Sequence, residues 1–293
     1  MKRKTLLSLA TLTLTATALA GCGHQHTYDL SVWVTNETQH WHGATCEHDV
    51  CTDLENHIDI DNNGFCDKCH YQMSGSPTPG PTPTPDPGDY YAGINADSST
   101  LLRDLNSLNS SKRTKLVGYG NMLGNASKGF YVTDPGNGNR TITTFYSGRN
   151  NNGTSGLNRE HVWPDSRGGN LVENDIHMPR PTLTSENGSR GNSFYVEGKC
   201  KSSGGWDPAM EDFGLETYRG DSARIIFYCA IAETRLTLVD TDDDRTSNNT
   251  MGKLSDLLKW NLQYPVTQRE ITRNEGAQSL QGNRNPFIDH PEY

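Results

Sequence analysis

The spacing of hydrophobic positions along the chain predicts three helices. The strongest pattern covers residues 221–238, where apolar side chains such as Ile225 and Tyr228 recur at three- and four-residue intervals and share one stripe. The same spacing, over shorter stretches, predicts helices at residues 98–110 and 253–262.

Two short runs rich in β-branched and aromatic residues predict strands at residues 129–133 and 140–146, with a Pro/Gly/Asn turn between them. Residues 151–198 show no such periodicity. They are polar and loop-like, yet dense in His, Glu, Asp, Asn and Arg. Loops that a rigid scaffold holds in place often carry functional residues, so this segment is where we look for chemistry.

The first 22 residues have the pattern of an export signal. A basic start is followed by an apolar stretch and then by Leu-Ala-Gly-Cys, which ends at Cys22. That ending resembles a bacterial lipobox and makes Cys22 the predicted lipid attachment site. We therefore expect an exported lipoprotein at the cell surface or in the periplasm, or shed from it, with the membrane as a partner. The alternative is an ordinary signal peptide with a chance cysteine.

Composition divides the remaining chain into three parts. Residues 23–73 form a Cys/His-rich module, and residues 74–88 a Pro/Thr-rich linker that favours extended conformations. Residues 89–293 have the length and composition of one globular domain. The predicted fold class is α+β, with the larger domain mainly helical.

The net charge of −9 argues against a protein that binds nucleic acid tightly without sequence preference. Residues 1–88 hold four of the 26 basic residues and ten of the 35 acidic ones, so the remainder carries only −3. A nearly neutral domain is compatible with hydrolysis of a phosphate polymer, particularly if a cation offsets the phosphate charge.

The polar segment contains every group that phosphodiester hydrolysis requires. His161 is a suitable base for a water molecule near neutral pH. Glu160 and Asn187 offer the oxygen ligands that hard divalent cations prefer, and arginines grip phosphate with a planar fork. On a strand, Glu160 and His161 would face opposite sides. These residue types alone indicate no more than a metal-dependent hydrolase.

Three segments then narrow the interpretation. Residues 158–164 read NREHVWP, residues 175–177 read DIH, and residues 187–192 read NGSRGN. Together with QGNRNPFIDHPE at residues 281–292, and in this order, they resemble the signature of the bacterial endonuclease I family. Members of that family are periplasmic or secreted nucleases with a small core called the ββα-metal or His-Me finger. The resemblance implies the same activity and the same core for this chain.

The resemblance also implies roles for individual residues. His161 would be the general base, and Glu160 and Asn187 would bind the catalytic metal, expected to be Mg²⁺ with Mn²⁺ or Ca²⁺ as alternatives. Arg167, and after it Arg190, are the candidates for contacting the substrate phosphate. Arg190 has an equally good interpretation as a structural salt-bridge partner.

Other positions in the matching segments are assigned to architecture. Asp175 and His177 are expected to orient a loop by hydrogen bonds rather than to act in catalysis. Trp163 is expected to pack in the core. Residues 283–292, with two asparagines and two prolines, predict a rigid C-terminal turn that packs back on the domain.

Cysteines give two further expectations. The Cys/His-rich module holds Cys46, Cys51, Cys66 and Cys69 among seven of the ten histidines, which favours a structural Zn²⁺ site over two disulfides. In the larger domain, Cys200 and Cys229 form a disulfide, or Cys229 is a buried thiol.

The leading hypothesis is a monomeric, secreted, Mg²⁺-dependent endonuclease that cuts DNA, with RNA as a further substrate, and leaves 5′-phosphate and 3′-hydroxyl ends. One alternative is a metal-dependent phosphodiesterase on smaller substrates. Another is a non-catalytic surface-binding lipoprotein in which the Cys/His-rich module carries the function.

Overall fold

The computed structural model places most of residues 90–293 and part of the segment before them. The described residues are 27, 28, 30, 32–36, 38–45, 51–58, 66, 68, 69, 71, 90–124, 126–211, 213, 214, 217–243 and 248–293. The predicted signal peptide with Cys22, the linker at 74–88 and Cys46 lie outside them. No helix in the described ranges is long and apolar enough to cross a membrane.

The Cys/His-rich module contains a small antiparallel sheet in the order β1-β2-β3. Its strands are β1 (Val34–Thr35), β2 (Gln39–Gly43) and β3 (Cys51–Asn56). On β2 the side chains of His40 and His42 are buried, whereas β3 is largely exposed. Strands this short bury little apolar surface, so a sheet of this size needs another source of stability.

Helices dominate the larger part, as predicted. They are α1 (Leu101–Lys112), α2 (Asn121–Gly124), α3 (Phe130–Thr133), α4 (Thr184–Arg190), α5 (Tyr218–Ala232), α6 (Leu254–Gln263), α7 (Gln268–Gln281) and α8 (Pro286–Asp289). The three helices predicted from periodicity are confirmed as α1, α5 and α6, but the prediction extended α5 six residues too far, into residues 237 and 238, which form a strand. Helix α5 lies at the centre of the core and is buried on nearly all sides, not along one stripe.

The strand predicted at residues 129–133 is wrong, because Phe130–Thr133 forms helix α3. Gly129 precedes it with a φ of +66°, and a side chain there would collide with the carbonyl of Met122. Phe130 and Thr133, three residues apart, then both point into the core. The second predicted strand is confirmed in shortened form as β4 (Thr141–Thr143).

Small sheets complete the domain. Strand β4 pairs antiparallel with β5 (Asn150–Asn152), and β8 (Thr237–Leu238) pairs parallel with β9 (Thr250–Met251). In the polar segment, β6 (Leu157–His161) pairs antiparallel with β7 (Pro179–Leu183), and α4 follows β7 directly. This unit has the ββα order that the resemblance implies, and it carries four of the five residues predicted for the active site.

Candidate active site

Strand β6 presents Glu160 and His161 on opposite faces, as expected for neighbours on a strand. Glu160 is only 1 % exposed, whereas the side chain of His161 is 16 % exposed at the surface. Because β6 pairs with β7 in a fixed register, with His161 opposite Pro179, the two side chains cannot exchange faces.

The carboxylate of Glu160 is held inside the domain through one oxygen. Its Oε1 accepts a hydrogen bond from Arg190 Nη1 at 2.7 Å and another from the Tyr146 hydroxyl at 2.8 Å. Burial raises the pKa of Glu160, although both contacts oppose the rise. Both of these hydrogen bonds are made by Oε1, and Oε2 accepts none from a residue that the structure describes.

Arg190 ties helix α4 to strand β6. Besides its bond to Glu160, it donates to the backbone carbonyls of His161 at 2.7 Å and Val162 at 2.8 Å, and its guanidinium lies over the ring of Tyr195. The side chain has no exposed surface. This geometry matches the structural interpretation of Arg190 and leaves the guanidinium no access to a substrate phosphate.

His161 is oriented by an acidic neighbour. Its Nε2 lies 3.3 Å from Oε2 of Glu173, and its ring centre lies 5.0 Å from that of Tyr119. If Nε2–H donates to the carboxylate, Nδ1 carries the lone pair that can accept a proton. The exposed carboxylate of Asp165 is close by, and ligand atoms of His161, Asp165 and Glu173 all lie within 4.8 Å of one another.

Asn187 lies on α4 one turn before Arg190, so both side chains are on the same face of the helix. Asn187 is half-buried, and its side-chain amide hydrogen-bonds to no residue in the described part of the chain.

Arg167 follows β6 in a short 3₁₀ turn. Its Nε donates to the carbonyl of Asn192 at 2.8 Å, and its guanidinium stacks on Phe194.

One further cation was not predicted from the sequence. Arg159 lies two residues before His161, and hence on the same face of β6, with its guanidinium 4.0 Å above the ring of Tyr119. It forms no ion pair with a described residue. The two-residue spacing between Arg159 and His161 was the sequence signal that could have identified Arg159. The sequence contained no signal for Glu173 or Tyr119, because folding alone brings these two residues next to His161.

The expected architectural roles of Asp175, His177 and Trp163 are confirmed. Asp175 is buried and accepts hydrogen bonds from the His177 backbone at 3.1 Å and the Tyr228 hydroxyl at 2.6 Å. The His177 ring contacts the carbonyl of Asn283 at 3.1 Å, which anchors the C-terminal segment to this loop. Trp163 is fully buried.

The cysteines lie apart from this site. Cys200 is exposed and Cys229 is buried, and both thiols are free, so the disulfide alternative for this pair is wrong. Cys229 instead packs as a buried thiol on α5. Cys51, Cys66 and Cys69 are also free.

Comparison with known proteins places the segments described above in one family. The Endonuclease I family matches residues 128–292, which is more than half of the chain. Extracellular ribonucleases from Bacillus amyloliquefaciens and Bacillus subtilis (strain 168) are 38 % and 36 % identical over 184 residues. Each match covers 55 % of this chain and 62 % of the relative, so the chain spans less than two thirds of the length of either. The matched region includes β6, β7 and α4, and the chain belongs to the endonuclease I family.

Proposed function

We propose that the chain is an exported, metal-dependent endonuclease that hydrolyses phosphodiester bonds and leaves 5′-phosphate and 3′-hydroxyl ends. The observation that carries the proposal is the surface imidazole of His161, oriented by Glu173 on the strand that also holds the buried Glu160. The relatives named extracellular ribonucleases favour RNA as a substrate beside DNA.

In this proposal His161 is the general base. Glu173 fixes the ring and its tautomer, so Nδ1 is free to accept a proton from the attacking water. Tyr119 packs against the ring and limits its rotation. A positioned base of this kind contributes a rate factor of about 10²–10⁴.

The donor set fits a hard divalent cation, and we assign Mg²⁺, with Mn²⁺ or Ca²⁺ as alternatives. Oε2 of Glu160 and the side-chain oxygen of Asn187 would hold it, since neither group is used by a described neighbour. When bound, such a cation stabilises negative charge on the phosphoryl oxygens. Asp165 and Glu173, beside His161, are the competing ligands.

A positively charged side chain is also needed to contact the substrate phosphate. Arg167 remains the candidate from the resemblance, but its Nε is already bonded to a backbone carbonyl. Arg159 shares the face of His161 and stacks on Tyr119 without a carboxylate partner in the described chain. We therefore propose Arg159 as an additional phosphate-binding residue.

For the whole chain we propose export as a monomeric lipoprotein, attached to the membrane through Cys22. Residues 23–73 would form a separate module, joined by the linker at 74–88 to the nuclease domain at 89–293. Replacing Cys22 with Ser should move the protein from the membrane fraction to the soluble fraction. A variant that stays with the membrane would contradict this attachment site.

The function is tested by digesting plasmid DNA and a single-stranded RNA with the full chain, with and without EDTA, and then with each divalent metal added back. We expect cutting of at least one polymer, loss of cutting in EDTA and in His161→Ala, and retention in the control His290→Ala. Failure of the wild type to cut either polymer would overturn the proposal. Hydrolysis of a small phosphodiester alone would indicate the phosphodiesterase alternative.

A further inference from the structure

Outside the candidate active site, the Cys/His-rich module brings four metal-binding side chains together. They are His40 on strand β2, His57 just after strand β3, and Cys66 and Cys69, which follow the sheet in the chain. One ligand atom from each lies within 4.8 Å of the others, and His40 and Cys66 are fully buried.

Three of the distances between these atoms match those of a small tetrahedral site. His40 Nδ1 lies 3.4 Å from His57 Nδ1 and 3.5 Å from Cys66 Sγ, and Cys69 Sγ lies 3.3 Å from His57 Nδ1. Around a tetrahedral zinc ion with ordinary bond lengths, two nitrogens are about 3.3 Å apart and a nitrogen and a sulfur about 3.6 Å apart. Each of the three separations falls within about 0.3 Å of these values.

The hydrogen bond made by the His57 ring points to the same site. Its Nε2 lies 2.8 Å from the carbonyl of Asn36, which can only accept, so Nε2 carries the proton. In the neutral ring Nδ1 then carries a lone pair, and it is the atom that lies close to the other ligand atoms. A ring nitrogen that donates to a backbone carbonyl while the other nitrogen binds a metal is the usual arrangement of zinc-ligating histidines.

We propose that His40, His57, Cys66 and Cys69 bind one structural Zn²⁺. The cation would join β2, the end of β3 and the segment after it, and so stabilise a sheet too small to hold its own shape. This set differs from the four cysteines expected from the sequence. Two histidines take the places of Cys46 and Cys51, of which Cys51 is exposed and Cys46 lies outside the described residues. Nearby His42 is not one of the four residues whose ligand atoms lie within 4.8 Å of one another, and its ring stacks on Trp33.

The first test needs no variant. The full chain is loaded with one equivalent of Zn²⁺ in excess Mg²⁺, and the ligands are identified by X-ray absorption at the zinc edge. We expect two sulfur and two nitrogen ligands. Four sulfurs, which would indicate the four-cysteine site, or only nitrogen and oxygen would overturn the proposal. So would a Cys66–Cys69 disulfide, found by mass spectrometry in the untreated protein.

The second test measures zinc per chain in variants of the full-length protein after dialysis. We expect about one zinc in the wild type and in the controls Cys51→Ser and His42→Gln, and loss of that zinc in Cys66→Ser and His57→Gln. Equal zinc content in all of these proteins would overturn the assignment. Because zinc content and ligand type are measured directly, both tests are independent of nuclease activity.

Discussion

Glu160 and Arg190 form an ion pair that is closed off from solvent. The side chains are 1 % and 0 % exposed, and Arg190 Nη1 lies 2.7 Å from Glu160 Oε1. The pair joins the strand that carries His161 to the helix that carries Asn187. It therefore links the proposed base and one proposed metal ligand through a single contact, which makes it a structural support for the site.

Replacing Arg190 with an uncharged residue should destabilise the fold strongly. In Arg190→Met the buried carboxylate of Glu160 loses its partner, and breaking a buried pair on one side costs about 3–5 kcal/mol. The free energy of unfolding, measured in urea, should fall by about this amount. The matched control is Arg235→Met, which breaks an exposed pair with Glu233 and should leave the free energy of unfolding nearly unchanged, because an exposed ion pair contributes little to stability. Similar losses in both variants would contradict this role for Arg190.

The position of the catalytic metal can be tested with two single substitutions. If Glu160 and Asn187 hold it, Asn187→Ala should raise the Mg²⁺ concentration for half-maximal cutting at least about tenfold. Asp165→Asn should leave that concentration nearly unchanged. If Asp165→Asn raises this concentration and Asn187→Ala does not, the metal is instead bound by His161, Asp165 and Glu173. His161 would then be a metal ligand and not the general base. The measurement is initial rate against Mg²⁺ concentration on one substrate.

The arginine that contacts phosphate can be identified from salt dependence. Loss of a phosphate contact should weaken substrate binding for every sequence and reduce the slope of log affinity against log salt by about 1. We expect this for Arg159→Ala, with partial recovery in Arg159→Lys, which keeps the charge. If Arg167→Ala shows the reduced slope and Arg159→Ala does not, the assignment from the resemblance is correct and ours is wrong.

The fold could be predicted from the sequence where burial follows a periodic apolar pattern. Helices α1, α5 and α6 were found in this way. Helix α7 was not, because its buried face includes Glu270, Arg273 and Asn274, which read as polar in a sequence. These residues are paired inside the domain, for example Glu270 with Arg224 of α5 at 2.6 Å. Such pairing depends on elements distant in the chain and leaves no local signal.

The same limit applies to the sites. The opposite faces of Glu160 and His161 follow from the two-residue period of a strand and were predictable. The burial of Arg190 was not, because Tyr146 and Tyr195, which enclose the pair with Glu160, come from other segments. In the Cys/His-rich module, cysteine spacing indicated a metal but not its ligands, since His40 joins the group only through pairing of the strands.

Burial of His177 should make the fold sensitive to acid in a specific pH range. Burial lowers the pKa of His177 to about 4, outweighing the nearby Asp175 and the contact with the Asn283 carbonyl, both of which raise it. In the unfolded chain the pKa of a histidine is about 6.5, so between these values the unfolded state binds a proton that the folded state does not. Stability is therefore complete above pH 6.5 and declines as the pH falls towards 4, by about 3 kcal/mol in all.

The variant His177→Gln keeps a side-chain donor for Asn283 but cannot titrate. The free energy of unfolding of both proteins should be measured by urea denaturation from pH 7 to pH 4. Other titrating groups, such as Asp221, whose pKa burial raises to about 6, affect both proteins alike and cancel in the difference. The stability advantage of the wild type should shrink by about 3 kcal/mol over this range. Parallel curves would show that His177 binds its proton equally well in the folded and unfolded states, and would contradict a lowered pKa in the folded protein.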